Sequence, residues 1–508
     1  MDILEHVIGS LTSDEVRRFK ILSNRFRAEE EKKLLVLFDA IRSGEHHAAE
    51  DKIIQRLYQF TTAQTKNSYY RLRNKLLGNL EKSLLFYHFN YRNSLESLSY
   101  LQLSMLFRER ALFRESYYYL RKAERLAEEF DQFSLLETIY DEMIKLAAHV
   151  EVDIEVLISR RRENLKKLEI LRGNSEILGM ITQRLSRRNF ARTKGSISVI
   201  QTLEEIRGRL EEHQEIFKSA QGRIMIIRAV VAILIQKSAY AELATYAWET
   251  YQEFLAGQLF TRETHNFRLI LSVWRINSLH KLLRLDEARQ GLALLWEDLQ
   301  LHQRMHFGEY GFHYYSQQTL NYKLTGHLPD AGKTLEALMA QKDILRNPAY
   351  EHYIRISEAD QMFCEGNPAG TATVLESLLQ DKTAPAQDES RKMYLQVFLL
   401  IAYVESAQQT LAQDLAAHIT RQFKPLLKEE EFGVVKRLVS LLEKILEQQL
   451  PPGDARLKTL VRRFMTQYTP QEIGDNQIIL YDVYLRARQD ARPYYDCLIE
   501  EVQRRQEG

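Results

Sequence analysis

Three histidines and a glutamate recur at steps of four, three and four residues in the middle of the chain. They are His302, His306, Glu309 and His313. On one continuous helix the four would share a face, and two histidines one turn apart can chelate zinc or a similar transition metal. Four side chains spread over three turns are too far apart to close one tetrahedral site, and Gly308 and Gly311 weaken a continuous helix. We therefore expect a polar stripe here, with no bound metal and no cofactor.

A basic cluster lies between residues 160 and 194, where eleven Lys and Arg stand against three Glu. Such a density of positive charge suits nucleic-acid phosphates, anionic lipid head groups or an acidic protein segment. The alternative is a solvated helix face that acidic helices neutralise, with Glu128–Glu129, Glu204–Glu205 and Glu211–Glu212 as the nearest suppliers. Because the cations outnumber these glutamates, we expect some positive surface to remain and to contribute to partner binding. The residues predicted to carry that contact are Arg187, Arg188 and Arg192.

A second basic strip near the N-terminus has the rhythm of a helix-turn-helix motif. One helix would end near Tyr58, and the next would present its polar side chains to a DNA groove. Those side chains are Lys66, Asn67, Tyr70, Arg71, Asn74 and Lys75. The connecting turn lacks the small residues of a true motif. DNA binding here requires that Lys66, Arg71, Arg73 and Lys75 form one exposed basic face.

Tyrosine is abundant, with 26 residues that include the runs 117–119, 314–315 and 494–495. Tyrosine lines recognition surfaces because it offers apolar area and a hydroxyl group at a small entropic cost. In a helical protein, half of each run is also expected to lie buried between helices. The tyrosines therefore favour a protein or peptide groove without locating it.

Sequence motifs of catalysis are absent. The chain has no glycine-rich loop before Lys-Ser/Thr, no GxSxG, no HExxH and no paired-cysteine metal knuckle. Its two cysteines, Cys364 and Cys497, are isolated, which is typical of reduced packing residues. We therefore expect a protein that is not an enzyme.

The elements that position these residues are predicted to be helices. Residues 1–328 contain no proline, whereas average usage of about 5% would place roughly 16 there, so few tight extended connections are needed. The 508 residues are 45% hydrophobic and 27% charged, as expected of a folded chain. The net charge of +1 gives no overall electrostatic attraction to nucleic acid or to a membrane. No secretory signal is expected, and the longest apolar run, Ile224–Ile235, is too short for a membrane span. We expect a cytoplasmic protein.

Helix pairs begin near residue 93. Small residues there let two helices approach closely, and large residues fill the gaps beside them. The positions are Tyr100, Leu103, Ser104 and Phe107 on one helix and Phe113, Ser116, Leu120 and Ala123 on the next. Their spacing resembles that of a tetratricopeptide (TPR) repeat, although Glu128 stands where such a repeat often ends in proline.

An internal repeat supports this resemblance farther along the chain. Gly326, Leu335, Glu336 and Leu338 recur forty residues later as Gly366, Leu375, Glu376 and Leu378. Leu285–Ala288 and Leu328–Ala331 each open a second helix. These spacings exceed the usual repeat of about 34 residues, so the units are TPR-like with longer helices. The resemblance implies a solenoid of helical hairpins.

We therefore predict an all-α fold with three parts: an N-terminal helical module over residues 1–92, a TPR-like α-solenoid over 93–380, and C-terminal helical hairpins over 390–508. Repeat arrays offer concave binding surfaces, so we predict a non-catalytic scaffold or adaptor that holds a protein or peptide partner, with nucleic acid less favoured. The alternative is a transcriptional regulator with an N-terminal DNA-binding module and a helical-repeat sensor. Predicted groove residues are Tyr100, Arg108, Tyr315 and Tyr322.

Overall fold

Helices make up the regular structure of the computed structural model, and there is no strand in the part of the chain that it describes. The described residues are 3–11, 13–24, 29–44, 50–89, 93–187, 220–345, 347–380, 389–429, 432–466 and 478–507. The all-α prediction is thereby confirmed for these residues. The chain divides into two compact units, Met1–Leu171 and Arg172–Gly508. Among the described helices, none is long and apolar enough to cross a membrane.

The first five helices share a core of their own. They are α1 (Ile3–Ser10), α2 (Ser13–Asn24), α3 (Glu29–Arg42), α4 (Glu50–Tyr58) and α5 (Ala63–Phe89). Phe19 and Phe38 pack with their ring centroids 4.9 Å apart, and Ile54, Tyr69 and Leu76 are buried in the same cluster. These helices belong to the first compact unit, which continues to Leu171, and the boundary of a separate module at residue 92 stays a prediction.

The rest of the first unit begins with a tightly packed helical hairpin. Its helices are α6 (Asn93–Glu109) and α7 (Phe113–Glu129), followed by α8 (Phe133–Leu146) and by α9 (Ile154–Arg187), whose residues after Leu171 are assigned to the second unit. The hydroxyl groups of Ser104 and Ser116 lie 3.0 Å apart in the buried seam between α6 and α7. These are two of the small positions expected from the sequence, and they let the helix backbones approach closely.

The second unit continues with successive helices that pack on their neighbours in the chain. They are α10 (Ala220–Gln236), α11 (Tyr240–Ala256), α12 (His265–Lys281), α13 (Leu285–Gln300), α14 (Phe307–Leu324), α15 (Leu328–Met339), α16 (Lys342–Leu345), α17 (Pro348–Cys364), α18 (Pro368–Gln380), α19 (Glu389–Glu405), α20 (Gln409–Gln422), α21 (Gly433–Glu447), α22 (Ala455–Thr466), α23 (Tyr481–Asp490) and α24 (Tyr494–Glu507). Two short 3₁₀ turns, Leu301–Arg304 and Leu426–Lys428, interrupt this succession.

Within the described residues, one type of join connects successive helices seven times. Three residues separate the two helices, and the middle residue has a positive φ. The third residue donates its N–H to the carbonyl five residues earlier at 2.8–3.0 Å, as in a Schellman helix end. The middle residues are Ala111, Asp131, Ser238, Leu283, Gly326, Gly366 and Ala407. This backbone motif supplies the short joins that the lack of proline in residues 1–328 predicts.

The internal repeat falls on equivalent positions of two hairpins, α14–α15 and α17–α18. Gly326 and Gly366 occupy the same left-handed position in the two joins. Leu335 and Leu375 are buried at matching places on the second helices. The forty-residue repeat in the sequence thus corresponds to one structural unit.

The last two helices of the second unit lie against the joins of earlier hairpins, and we call α23–α24 the C-terminal brace. The Gln506 amide donates to the carbonyl of Leu283 at 2.8 Å. The Tyr495 hydroxyl donates to the carbonyl of Lys323 at 2.9 Å. Both side chains belong to α24, and they satisfy carbonyl groups at or just after the ends of α12 and α14, where a carbonyl lacks a partner within its own helix.

A buried arginine extends the C-terminal brace to two more hairpins. Arg488 pairs with the Glu405 carboxylate at 2.6 Å and donates to the carbonyl of Leu450 at 3.1 Å. The Tyr484 hydroxyl also donates to Glu405, at 2.7 Å. The brace therefore holds the ends of α19 and α21.

Candidate partner-binding surfaces

Aromatic rings gather on one exposed face of the hairpin α6–α7. Phe107 stacks on Tyr119 with a centroid distance of 5.3 Å, and Tyr100 lies 5.9 Å from the same ring. Tyr118 meets Tyr119 edge to face at 5.3 Å and is 55% exposed. We call the tyrosine surface the set Tyr100, Leu103, Phe107, Tyr118, Tyr119 and Lys122.

The packing of the hairpin explains why these side chains point outward. Ser104, Ser116 and Leu120 are buried in the seam, so residues one helical step away emerge along its edge. Leu103 is one of them and is exposed, although the TPR spacing places a gap-filling large residue there. An exposed apolar side chain thus lies on the same helix face as Tyr100 and Phe107, at steps of three and four residues.

A single cation lies among the rings. The Lys122 ammonium is 4.8 Å from the ring centroid of Tyr118 and 5.3 Å from that of Tyr100, within range of a cation–π contact. A hydrogen bond with Tyr118 raises the pKa of Lys122. The Tyr100 hydroxyl donates to Glu96 at 2.6 Å, which raises the pKa of Tyr100. The surface therefore offers neutral rings and the charge of Lys122, with the Glu96 carboxylate held by Tyr100 at its edge, which suits binding rather than covalent chemistry.

Arg108 is held at the edge of this region by the next helix. Its guanidinium pairs with the buried carboxylate of Glu142 at 3.3 Å, and Lys145 contacts the same carboxylate at 2.9 Å. The predicted groove residue Arg108 therefore ties α6 to α8. Its role in binding a partner stays a prediction.

Tyr315 and Tyr322 lie two turns apart on α14, in the second unit. Tyr315 packs against Tyr314 at 5.3 Å and meets the Trp296 ring at 6.3 Å. Tyr322 contacts His327 edge to face at 6.3 Å. Both tyrosines are half-buried. The sequence prediction named these tyrosines but not Trp296, which is exposed beside them and shows no repeat spacing.

Acidic side chains of earlier helices neutralise the first part of the basic cluster. Arg160 pairs with Glu124 at 3.0 Å and Arg161 with Glu137 at 2.5 Å. The expected supplier Glu128 does not pair directly with either arginine, but its charge contributes to raising the pKa of Arg160, after the hydrogen bond to Glu124. Glu128 instead accepts a hydrogen bond from a tyrosine.

The three arginines of the predicted contact lie at the end of the described part. Arg187 is the last residue of α9, and nothing of its side chain is described. Arg188 and Arg192 lie outside the described residues, as do the glutamates at 204–205 and 211–212. Their contribution to partner binding stays a prediction.

The histidine stripe does not lie on one helix. His302 and the two residues after it take left-handed backbone angles, and α14 begins only at Phe307. The break instead brings His302 and His306 to 4.8 and 5.8 Å from the ring of His265. Burial, assisted by both neighbouring rings, lowers the pKa of His265 to about 4. In residues that the structure describes, no group of three His, Cys, Asp or Glu is arranged to hold a metal ion.

The N-terminal basic strip is interrupted by acidic partners. Lys66 pairs with Asp51 at 3.1 Å, and the half-buried Arg73 lies 3.5 Å from Glu5. Arg73 also borders a cavity of about 360 Å³ that Glu5 and Glu50 line. These carboxylates would repel a phosphate backbone. The single exposed basic face that DNA binding requires is therefore not formed at Lys66 and Arg73.

Both cysteines are buried. Burial raises the pKa of each thiol above its ordinary value, so neither provides the thiolate that nucleophilic catalysis requires. No protein-family model matches the chain, and no curated protein matches it.

Proposed function

We propose that this protein is a non-catalytic scaffold that binds a protein segment on a solenoid of TPR-like helical hairpins. The recurring three-residue join supports this arrangement, since identical joins give neighbouring hairpins the same local geometry. The observation that carries the binding proposal is the tyrosine surface. Tyr118 is exposed and the other three rings are half-buried, and their contacts with one another hold them in place.

The composition of the tyrosine surface favours a particular partner chemistry. The stacked pair Phe107–Tyr119 loses little side-chain freedom on binding, which lowers the entropic cost of a contact. Leu103 and Tyr118 offer apolar area for an apolar side chain. Lys122 adds a positive charge at the same place, so an acidic residue beside that side chain completes the match.

Three other features are consistent with the proposal. Tyr315 and Tyr322, with the exposed Trp296, provide a second aromatic surface for the concave groove in the second unit. The pairing of Lys66 with Asp51 argues against the alternative of a DNA-binding regulator. Buried, isolated cysteines suit a reducing compartment such as the cytoplasm.

The test compares partner capture by the full-length wild type and two variants. The double variant Leu103→Ser/Tyr118→Ala removes the exposed apolar area of the tyrosine surface. Leu411→Ser is the matched control, because Leu411 is an exposed leucine on α20. Circular dichroism would verify that all three proteins keep their helical content.

We expect one partner, identified by mass spectrometry, to be captured by the wild type and by Leu411→Ser. With that partner purified, calorimetry should give an affinity at least about tenfold lower for the double variant, as for loss of an aromatic hot spot. Equal affinities of the double variant and the wild type would contradict the assignment of the surface. Turnover of a small molecule to a defined product by the purified protein would contradict the non-catalytic role.

A further inference from the structure

An open cavity of about 640 Å³ lies between α20, the 3₁₀ turn Leu426–Lys428 and α21 in the second unit. Pockets that hold small ligands have volumes of about 300–1,000 Å³. Its walls include the side chains of Leu427 and Val439, and two hydroxyl groups, of Thr420 and Ser440, line the same space. The cavity is independent of the tyrosine surface and of the scaffold proposal.

Four cations surround this cavity. They are Arg421, Lys424, Lys428 and Lys436. Within the described residues, none of them forms an ion pair or a side-chain hydrogen bond. Elsewhere in the second unit, cations such as Arg268 and Arg488 are matched with carboxylates. An excess of positive charge is therefore concentrated at one concave place.

One carboxylate, that of Glu443, also lines the cavity. Burial and the neighbouring Glu447 raise the pKa of Glu443 above its ordinary value. Among the described residues that line the cavity, four cations therefore stand against this one acidic group.

The local sequence fixes the positions of the cations. Phe423 and Leu427 are buried where the chain turns between α20 and α21, and Phe432 closes the turn from the other side. The steps of three and four residues between 421, 424 and 428 place these cations beside the anchoring side chains. Lys436 approaches from the first turn of α21. In the sequence alone, this spacing of the cations cannot be distinguished from the polar face of an ordinary amphipathic helix, because the turn that gathers them depends on tertiary packing.

We propose that this cavity binds two or more phosphate groups of a phosphorylated small molecule. Lysine acts as a compact point charge toward phosphate, and arginine adds a planar fork of donors. The hydroxyl groups of Thr420 and Ser440 can donate to further phosphate oxygens. Each phosphate carries more negative charge and more acceptor oxygens than a carboxylate. Two or three phosphate groups can therefore balance the charge of the four cations within this volume.

Calorimetry on the full-length protein tests the proposal with inorganic tripolyphosphate and ATP as free ligands. Co-sedimentation with vesicles that contain phosphatidylinositol 4,5-bisphosphate tests a lipid head group as the source of the same phosphates. A polyglutamate peptide of equal charge tests carboxylates in their place. All measurements use one salt concentration, because binding of this kind weakens as salt rises.

The decisive variant is Lys424→Glu/Lys436→Glu, which reverses two cations of the cavity. Its matched control is Lys444→Glu/Lys458→Glu, because both lysines are exposed, lie outside the cavity and give the same change in net charge. A second variant, Thr420→Val/Ser440→Ala, removes the hydroxyl groups and leaves the charge unchanged.

We expect tripolyphosphate or ATP to bind the wild type, and the cavity variant to bind at least about tenfold more weakly, because attraction becomes repulsion at two positions. The control should change affinity less than about threefold, and the hydroxyl variant should weaken binding at unchanged charge. Binding to the vesicles alone, lost in the cavity variant, would assign the same phosphate site to a lipid. Absence of binding to all phosphate probes, equal losses in the control, or tighter binding of polyglutamate would overturn the proposal.

Discussion

The buried ion pair between Arg268 and Asp298 ties three consecutive helices of the second unit, and replacing Arg268 with Met tests how much it stabilises them. The guanidinium lies 2.6 Å from one oxygen of Asp298, and the Tyr251 hydroxyl donates to the other at 2.9 Å. The Arg268 Nε atom donates to the Tyr251 oxygen at 3.1 Å. Methionine keeps much of the length and apolar volume of arginine but leaves the carboxylate with one donor.

The magnitude follows from burial. The Asp298 side chain is 2% exposed and that of Arg268 is 18% exposed, so the carboxylate cannot regain water when its cation is lost. Breaking such a buried pair destabilises a protein by about 3–5 kcal/mol, whereas an exposed pair contributes about 0–1 kcal/mol. Because the arginine is partly hydrated, we expect the lower end of the range, about 3 kcal/mol, for α11–α13. That value corresponds to roughly a hundredfold increase in local opening.

Hydrogen–deuterium exchange with mass spectrometry is the suitable assay, since it reports local opening segment by segment. At pH 7, peptides from residues 240–300 of Arg268→Met should exchange roughly a hundredfold faster than those of the wild type. Arg284→Met is the control, because Arg284 forms an exposed pair with Glu287 at 2.6 Å in the same region. Equal, small effects of the two substitutions would refute the reasoning.

The effect should also depend on pH. Burial raises the pKa of Asp298 above its ordinary value even beside Arg268. A carboxyl group with a raised folded-state pKa stabilises the fold below its unfolded pKa and loses that contribution as the pH rises through the folded pKa. Without the arginine the pKa of Asp298 rises further, so lowering the pH protonates the orphaned carboxylate. The difference between Arg268→Met and the wild type should therefore shrink from pH 7 toward pH 4, and Asp298→Asn should relieve most of it at pH 7.

Two further predictions concern the joins and the C-terminal brace. Both Ala407 and Gly366 have positive φ, which strains alanine and suits glycine. Ala407→Gly should therefore raise the free energy of unfolding of the second unit by about 0.5–1 kcal/mol, and Gly366→Ala should lower it by a similar amount. Thermal unfolding measures both changes, and midpoints that shift in the opposite directions would contradict the strain argument. Arg488→Met should speed hydrogen exchange at the ends of α19 and α21 and leave α6–α7 unchanged, since Arg488 bridges Glu405 and the Leu450 carbonyl. Uniform acceleration across the chain would show that the bridge has no local role.

Much of the helical architecture could be predicted because its signals are local. The small residues Ser104 and Ser116 mark the seam of a hairpin, and they meet there at 3.0 Å. Gly326 and Gly366 belong to the predicted forty-residue repeat, and both adopt the left-handed conformation that glycine favours at two equivalent joins. Spacing along one helix and a preference for glycine are properties that a short window of sequence contains.

The candidate sites depended on contacts that no local window contains. Arg160 pairs with Glu124 across 36 residues, and the choice among several nearby glutamates depends on which turns of α7 and α9 face each other. His265 meets His302 because the backbone turns left-handed after α13. This break in the helix precedes Gly308 and Gly311, the residues from which the sequence predicted a weakened helix. Side-chain partners between helices follow from packing, and packing is set after the helices have formed.

The C-terminal brace has a consequence for synthesis on the ribosome. The carbonyl groups of Leu283 and Lys323 receive their partners from α24, some 170 to 220 residues later in the chain. Domains fold as the chain emerges from its N-terminus, so hairpins from α12 onward would leave the exit tunnel with these helix ends still facing water. The ends of α12 and α14 would therefore gain these partners only after Tyr495 and Gln506 had been translated, later than the hairpins themselves could form.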